Sequence, residues 1–430
     1  MFGLVRDSSR SGQVSTIVYA PFGRLSSAAA RLCVVLLGLW LSSCATPADR
    51  GRMDEAAVRE SLRIELGFAT PSPSPRQLSL LRAADIAAAM SLPELAGQVL
   101  MPAVVDEAGR FLLSSDDPGF ERLRSIAPGG YILFAGNIGS VQQIRTFVQQ
   151  LTDASALPAI VAIDHEGGTV YRFRHLSDSP VSSMPAARSV ALQDDETLVY
   201  ANALQMGREL ADLGIHLNFA PVADVVSSSA NRVIGNRSFG SDPEVVGRMV
   251  AASVRGLRDG GVASVVKHFP GHGASIVDTH RQSGVVTDSR ELLLQRDVVP
   301  FRHALRAGAN GVLTSHLAYS ALDDGSTPAT FSSRILDDLL RGELQFDGIV
   351  VSDALTMVAA RQFAAGRAAA VLALNAGVDL ILQPVDPVAS YIDIVTAVKR
   401  GQLPRERLVE AATRIIALKI ESGLLDDERS

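Results

Sequence analysis

Between Lys267 and His280 the chain places a lysine, three histidines and an aspartate within fourteen residues: Lys267-His268-Phe269-Pro270-Gly271-His272-Gly273, then Asp278-Thr279-His280. The apolar run Ala263 to Val266 leads into them and a Pro-Gly break follows. A buried strand that delivers polar groups into a pocket from its C-terminal end has this pattern. An aspartate two residues before a histidine can orient the ring and raise its basicity, so that His280 could shuttle a proton near neutral pH. The plainer reading of Asp278 is a turn cap.

Other apolar runs end in the same way. Asp164-His165-Glu166-Gly167-Gly168 follows Ile163, with Arg172 and Arg174 close behind. Pro221 and Asp224 follow Phe219, and a long loop then carries Asn231 to Phe239. Ser315-His316 follows Thr314, and Ser352-Asp353 follows Val351. A solvated face explains one or two charged run ends, but not five at one phase. Carboxylates beside cations suit a hydroxyl-rich ligand such as a sugar: Asp164 accepts from hydroxyls while Lys267 and Arg172 donate. Asp353, fixed at the end of a short apolar run, is placed as a nucleophile should be. No metal and no cofactor is called for. A metal-dependent barrel hydrolase would want a His-x-His pair after the first run, and Met101 to Asp106 has none.

The elements that must hold these groups are eight short apolar runs: Gly97–Val104, Gly130–Phe134, Ala159–Ile163, Leu217–Val222, Ala263–Val266, Gly311–Thr314, Gly348–Val351 and Val378–Leu382. Amphipathic stretches with cap signals separate most of them. Ser91-Leu92-Pro93-Glu94 reads as a helix start, Ser241-Asp242-Pro243-Glu244 as another, and Asp288-Ser289-Arg290-Glu291 opens a helix running to Ala307-Gly308. Arg405 to Leu425 reads as a last amphipathic helix. Strand and helix alternating eight times predict an α/β fold, a single (β/α)8 TIM-type barrel. A doubly wound open sheet is the alternative, but it would want a glycine-rich loop after the first strand, where Met101-Pro102-Ala103-Val104 stands.

With 430 residues, 47% hydrophobic, the chain can bury a large core. A net charge of −6 and no basic stripe argue against a nucleic-acid partner. The two cysteines, Cys33 and Cys44, both lie near the start, so no disulfide framework is expected in the body. Residues 1–44 read as a targeting segment: four arginines, then the ten-residue apolar run Leu32 to Leu41, then Leu41-Ser42-Ser43-Cys44. That run is short for a bilayer span and fits a signal-peptide core. Its end resembles a lipobox, which makes Cys44 the acylation site and the mature protein an exported, membrane-anchored lipoprotein, on the periplasmic face or outer membrane if the cell is Gram-negative and otherwise on the cell surface. Residues 45–76, including Pro71-Ser72-Pro73-Ser74-Pro75, read as a short helical, Pro-rich tether, and 77–425 as the barrel.

Taken together, Asp164-x-Glu166-Gly167-Gly168-x-Val170-x-Arg172, Val233-Ile234-Gly235-x-Arg237-Ser238-Phe239, Lys267 to Gly273, Asp278-x-His280 and Val351-Ser352-Asp353 with Met357 resemble the family-3 glycoside hydrolases, in their β-N-acetylglucosaminidase branch. The resemblance runs from about Ser91 to Leu425. It implies a retaining exo-β-N-acetylglucosaminidase (β-hexosaminidase) acting through a glycosyl-aspartate intermediate on muropeptide or chitin-type saccharides. Asp353 would be the nucleophile and His280, assisted by Asp278, the acid/base. Asp164, Arg172, Arg237, Lys267 and His268 would bind the N-acetylglucosamine ring. Retaining glycosidases ordinarily pair two carboxylates, and an Asp–His couple stands in for the second here. A neutral imidazole repels anions less than a carboxylate does, so phosphorylase activity is a possible accompaniment. The alternatives are a β-glucosidase or other glycosidase on the same scaffold and, at greater distance, a non-catalytic sugar-binding lipoprotein or a metallohydrolase.

Overall fold

Eight short parallel strands supply the frame in the computed structural model, which describes residues 74–228 and 230–425. They are β1 (Leu100–Met101), β2 (Gly130–Leu133), β3 (Ile160–Ile163) and β4 (Leu217–Asn218), followed by β5 (Ala263–Phe269), β6 (Gly311–Thr314), β7 (Ile349–Val351) and β8 (Ile381–Leu382). Strands β2 to β7 pair in chain order as one parallel ladder, and β1 pairs with β8. Parallel bridges Ala103–Ile132 and Val351–Leu380 join that pair to both edges of the ladder, so the sheet curls until the circuit of pairings returns to its start. The residues of all eight strands are buried, as expected of parallel strands covered on both faces. Gly130 shows how tight the wall is: a Cβ there would lie 2.6 Å from the Ile160 carbonyl oxygen.

The helices that cover the sheet begin where the cap signals stand. Helix α1 (Pro75–Ala89) is capped reciprocally by Ser74 and Gln77, and α2 (Leu92–Gln98) by Ser91 and Glu94. Helix α3 (Val141–Thr152) starts at Ser140, α4 (Glu196–Ala211) at Asp195 and α5 (Pro243–Asp259) at Asp242. In each case a short polar side chain accepts from amides that have no partner inside the helix. Helices α6 (Val299–Arg306), α7 (Pro387–Lys399) and α8 (Arg405–Glu421) add to the cover, with shorter helical segments at Arg334–Glu343, Val358–Ala364 and Ala369–Asn375 around β7. Arg76 at the start of α1 pairs with Asp347 at 2.8 Å and with Glu421 of α8 at 2.9 Å. Among the described residues no helix is long and apolar enough to cross a membrane.

Four expectations change. The first apolar run contributes only Leu100–Met101 as strand, because Gly97 and Gln98 finish α2. Strand β5 does not stop at Val266 but continues through Lys267 and His268 to Phe269. The helix expected from Asp288 to Ala307 is two: Arg290–Gln295 and α6. Pro300 has no N–H for a continuous helix, whereas it fits the first turn of a new one. Helix α1 begins at Pro75, inside the expected tether, because Ser74 caps it. The targeting segment, Cys44 and the tether up to residue 73 lie outside the described residues.

Lys419 of α8 is fully buried, and its Nζ donates to Gln98 Oε1 at 2.7 Å. Burial holds its ammonium down to about 7. Between that value and the ordinary lysine value near 10.5 the unfolded chain binds more protons than the folded one, so this group's contribution to stability improves as pH rises. The stability gap between Lys419→Met and the native protein should therefore shift in the native protein's favour from pH 7 to pH 10. Urea unfolding at the two pH values measures it; a gap independent of pH contradicts this account.

Candidate active site

The C-terminal ends of β3, β4, β5 and β7 empty into a cavity of about 350 Å³. Asp164, Arg172, Arg237, Lys267, His268, His280 and Asp353 all line it. Seven residues scattered over nearly two hundred positions thus share one wall, and of the expected site residues only Asp278 is missing from it.

One side of the cavity is a row of alternating charges. Lys267 Nζ donates to Asp164 Oδ1 at 2.5 Å and lies 2.6 Å from Glu166 Oε1. Arg172 donates to Asp164 Oδ2 at 2.9 Å and through Nε to the Asp164 carbonyl. Arg237 grips Glu166 with two bonds of 2.8 and 2.7 Å. Three cations against two carboxylates leave the row one positive charge in excess. Burial would raise the Glu166 carboxyl, but the charges of Lys267 and Arg237 and their hydrogen bonds outweigh it and hold Glu166 well below the usual range. Glu166 does not line this cavity and borders a separate void of about 50 Å³; it holds Lys267 and Arg237, which do line the cavity. Asp164 is the carboxylate that faces the ligand space.

A second buried acid builds the next wall. Asp224 Oδ2 bonds His268 Nδ1 at 2.7 Å, and its Oδ1 accepts the amides of His268 and His272 at 3.2 and 2.6 Å. Burial would raise Asp224, yet His268, His272 and these bonds lower it overall. An ionised carboxylate there requires the proton on His268 Nδ1 and leaves Nε2 as the atom available to a ligand. His272 is pulled to about 4, first by burial and then by His268, so it is neutral at physiological pH. Asn231 donates to the carbonyls of His272 and Gly273, which ties the long loop after β4 to the turn after β5. Gly273 passes so close to Val225 that a Cβ would fall 1.8 Å from its carbonyl oxygen.

Asp353 sits two residues beyond β7. Ser352 fixes its backbone by donating its amide to Leu380 O at 3.0 Å and accepting the Leu382 amide on Oγ at 2.9 Å. Asp353 Oδ1 accepts the Ala354 amide at 2.8 Å. Burial pushes its carboxyl up, but the imidazoles of His316 and His268 and the Ala354 amide more than offset this, so it lies below the ordinary aspartate range and is ionised. His316, fully buried and held below its usual value chiefly by burial, donates Nε2–H to the Ala354 carbonyl at 3.1 Å and meets Thr330 Oγ1 through Nδ1 at 2.8 Å.

His280 lies on an exposed loop at the cavity rim. Asp278 is placed otherwise than expected: its Oδ1 accepts the His280 backbone amide at 3.0 Å and caps the turn, and its carboxylate makes no hydrogen bond to the His280 ring. The carbonyl of Thr279 accepts the Ala359 amide at 3.2 Å, which pins the loop beside the residues that follow Asp353. The residues that sequence reading left without a role are Glu166, Asp224 and His316. Each stands two or three residues past an apolar run, which was the available signal, but nothing local shows that each works through a neighbour.

An eightfold α/β frame with an ionised aspartate just past one strand end, sharing a cavity with a row of carboxylates and cations, has the make-up of a carbohydrate-processing enzyme. The chain belongs to glycosyl hydrolase family 3: the family model for the glycosyl hydrolase family 3 N terminal domain matches residues 95–418. It is 36% identical over 299 residues to a beta-hexosaminidase of Hydrogenovibrio crunogenus, spanning 67% of this chain and 81% of that one. It is also 36% identical over 320 residues to beta-hexosaminidase A of Pseudoalteromonas piscicida, covering 68% of this chain but 53%, about half, of that protein. The structure of a glycoside hydrolase family 3 beta-N-acetylglucosaminidase from Paenibacillus sp. superposes with a TM-score of 0.72 at 34% identity, covering 79% of this chain and 65% of that one.

Removing Glu166 leaves Lys267 and Arg237 facing each other without their shared partner. Glu166→Ala should cost about 3–5 kcal/mol, the range for breaking a buried ion pair. Arg172→Ala, at the more exposed end of the row, should cost clearly less. Urea unfolding of both variants measures the order, and equal losses would contradict the central place given to Glu166.

Proposed function

We propose that the chain is a retaining exo-β-N-acetylglucosaminidase that removes a terminal N-acetylglucosamine from a cell-wall or chitin-type saccharide. The observation that carries this reading is Asp353, an ionised carboxylate that shares one cavity with His280 and with the Asp164–Lys267–Arg172 row. Asp164 accepts from ring hydroxyls, while Arg172, Lys267 and Arg237 donate to the sugar's oxygens; His268 presents Nε2 beside them. Held in this way, the anomeric carbon faces Asp353, whose Oδ2 is the attacking oxygen because Oδ1 is engaged by Ala354.

Oδ2 forms an ester bond to the anomeric carbon as the glycosidic C–O bond breaks. The bonding pair goes to the leaving oxygen, which takes its proton from the His280 imidazolium. The neutral imidazole then takes a proton from water, the water oxygen attacks the anomeric carbon, and the ester pair returns to Asp353. Asp278 serves this cycle by holding the His280 backbone. The names of the beta-hexosaminidase relatives and of the Paenibacillus beta-N-acetylglucosaminidase support this substrate over a plain glucoside.

Asp353→Ala should abolish turnover while leaving the fold intact. His280→Ala should harm substrates with poor leaving groups far more than activated aryl glycosides, since only the former need the proton. Rates on aryl β-N-acetylglucosaminide, aryl β-glucoside and the disaccharide test both roles and the sugar. Equal losses for His280→Ala on every leaving group would remove it as the acid, and a preference for glucoside would move the enzyme to the glucosidase reading.

The reading includes export and membrane anchoring through Cys44, supported by the apolar run Leu32 to Leu41 ending in Leu41-Ser42-Ser43-Cys44. Labelled palmitate should be incorporated by the native chain and lost in Cys44→Ser; incorporation unchanged by the substitution excludes that site.

A further inference from the structure

Two buried threonines stand behind Asp353 with no part in the chemistry described so far. Thr314 ends β6, and Thr330 lies in a short helical turn, Ala329–Phe331, that returns to that strand end. Both are buried, as is His316. Thr314 Oγ1 lies 2.7 Å from Thr330 Oγ1, which in turn lies 2.8 Å from His316 Nδ1 and 3.1 Å from the Ser315 carbonyl. His316 Nε2 reaches the Ala354 carbonyl at 3.1 Å.

The chemistry of these atoms fixes where each proton goes. A carbonyl only accepts, so Nε2 carries the ring's proton. Burial lowers the imidazole below its ordinary value and keeps it uncharged, which leaves a bare lone pair on Nδ1. That lone pair needs a donor, and the Thr330 hydroxyl is within reach. The Ser315 carbonyl has its own donor in the Thr330 amide, at 3.2 Å, so the hydroxyl proton is free for the ring. Thr330 Oγ1 then accepts from Thr314. The other tautomer of His316 would set a lone pair on Nε2 against the Ala354 oxygen.

The far end of this chain grips the residue beside the attacking carboxylate. Ala354 donates its amide to Asp353 Oδ1 at 2.8 Å. Its carbonyl accepts His316 Nε2 and also the Met357 amide, the latter at 3.0 Å. The Phe331 ring lies nearly parallel to His316, with 8° between the planes and 6.2 Å between centroids. Phe363, in the helical segment after Asp353, stacks on Phe331 at 4.8 Å. The imidazole is thus held at both nitrogens and on one face.

We propose that Thr330 and His316 are positioning residues for Asp353: Thr330 fixes the orientation and the proton of the ring, and the ring holds Ala354 so that Oδ1 stays engaged and Oδ2 stays free. This rests on the nucleophile's role proposed above for Asp353. Neither residue touches the sugar through this chain; each acts on the reaction through the next.

The test joins one spectrum to a set of variants. In the native protein labelled with 15N, His316 should carry its proton on Nε2 and show an accepting Nδ1 at neutral pH; H316Q assigns the signal. A proton on Nδ1, or a charged ring, overturns the proposal, and this reading needs no variant of Thr330 to fold. On aryl β-N-acetylglucosaminide, T330V should lose about tenfold in kcat with KM little changed, the scale of leaving one buried acceptor without its donor. T330S, which keeps the hydroxyl, should recover most of that loss. Because Thr330 acts through the ring, T330V should add nothing to the loss in H316Q. Thermal unfolding checks that each variant is folded. Losses that multiply in the double variant mark mere packing and overturn the proposal. If the native protein cleaves the aryl glycoside and folded T330V does so at the native rate, the positioning role alone fails. If the native protein cleaves no aryl glycoside, the proposed activity fails and the positioning role falls with it.

Discussion

Lys267 between Asp164 and Glu166 is the contact on which the site depends. Two carboxylates on one short segment after β3 would repel each other in a poorly solvated space, where two unit charges about 4 Å apart interact by roughly 4 kcal/mol at an effective dielectric of 20. A single buried ammonium, 2.5 and 2.6 Å from the two acids, turns that repulsion into attraction. The lysine comes from β5, which is not a ladder neighbour of β3: β4 lies between them. Side chains from alternate strands meet only inside a curled sheet. The ion row therefore both requires the curl and fastens it, and Arg237, from the loop after β4, caps the far carboxylate.

The histidine wall follows a different rule. Asp224 is wholly buried and offers its oxygens to one imidazole and two backbone amides, so its charge is spent on holding the turn from His268 to His272. Asp353 has only one backbone amide on its carboxylate, with imidazoles nearby. Both acids are kept ionised, but one is saturated with hydrogen bonds and the other is left with an oxygen to spare. A saturated carboxylate positions its neighbours; an unsaturated one can form a new bond. That difference in hydrogen bonding, more than any difference in charge, separates Asp224, which holds its neighbours, from Asp353, for which a nucleophile's role is proposed.

Much of this was legible in the chain. Strands β1 to β8 fall where eight apolar runs stand, because a strand buried on both faces has to be a short unbroken hydrophobic run. Polar residues directly after those runs were bound to converge if the sheet curls, and Asp164, Lys267, His268 and Asp353 do share a cavity. What stayed hidden depends on contacts between distant residues. Glu166 and Asp164 are alike in local sequence, and only the arrival of Arg237, 71 positions away, makes one an anchor and leaves the other facing the ligand. Asp278 and His280 are close enough in sequence to invite a side-chain pairing, yet the shorter reach from an Asp to the amide two residues on is met first. Strand β5 outran its apolar run because Lys267 and His268 face a polar cavity rather than an apolar core, and hydropathy alone cannot tell such an interior from solvent.

The curl also decides which parts of the chain are free to change. Strands β3, β4, β5 and β7 and the segments after them carry the charged row, the histidine wall and Asp353, and the row and the wall are each knit by hydrogen bonds of their own. Strands β1 and β8 meet at the seam where the circuit closes, with two paired residues each. Asp106 follows the first of these strands and Asp386 the second, 280 positions apart, yet they line a second cavity and Arg122 lies between them. The segments beyond this seam hold few of the bonds that fix the sugar-facing wall, so their side chains can be exchanged with little effect on Asp353 or Lys267. The charged row, the histidine wall and Asp353 therefore all stand on the arc from β3 to β7, and the seam between β1 and β8 lies outside it.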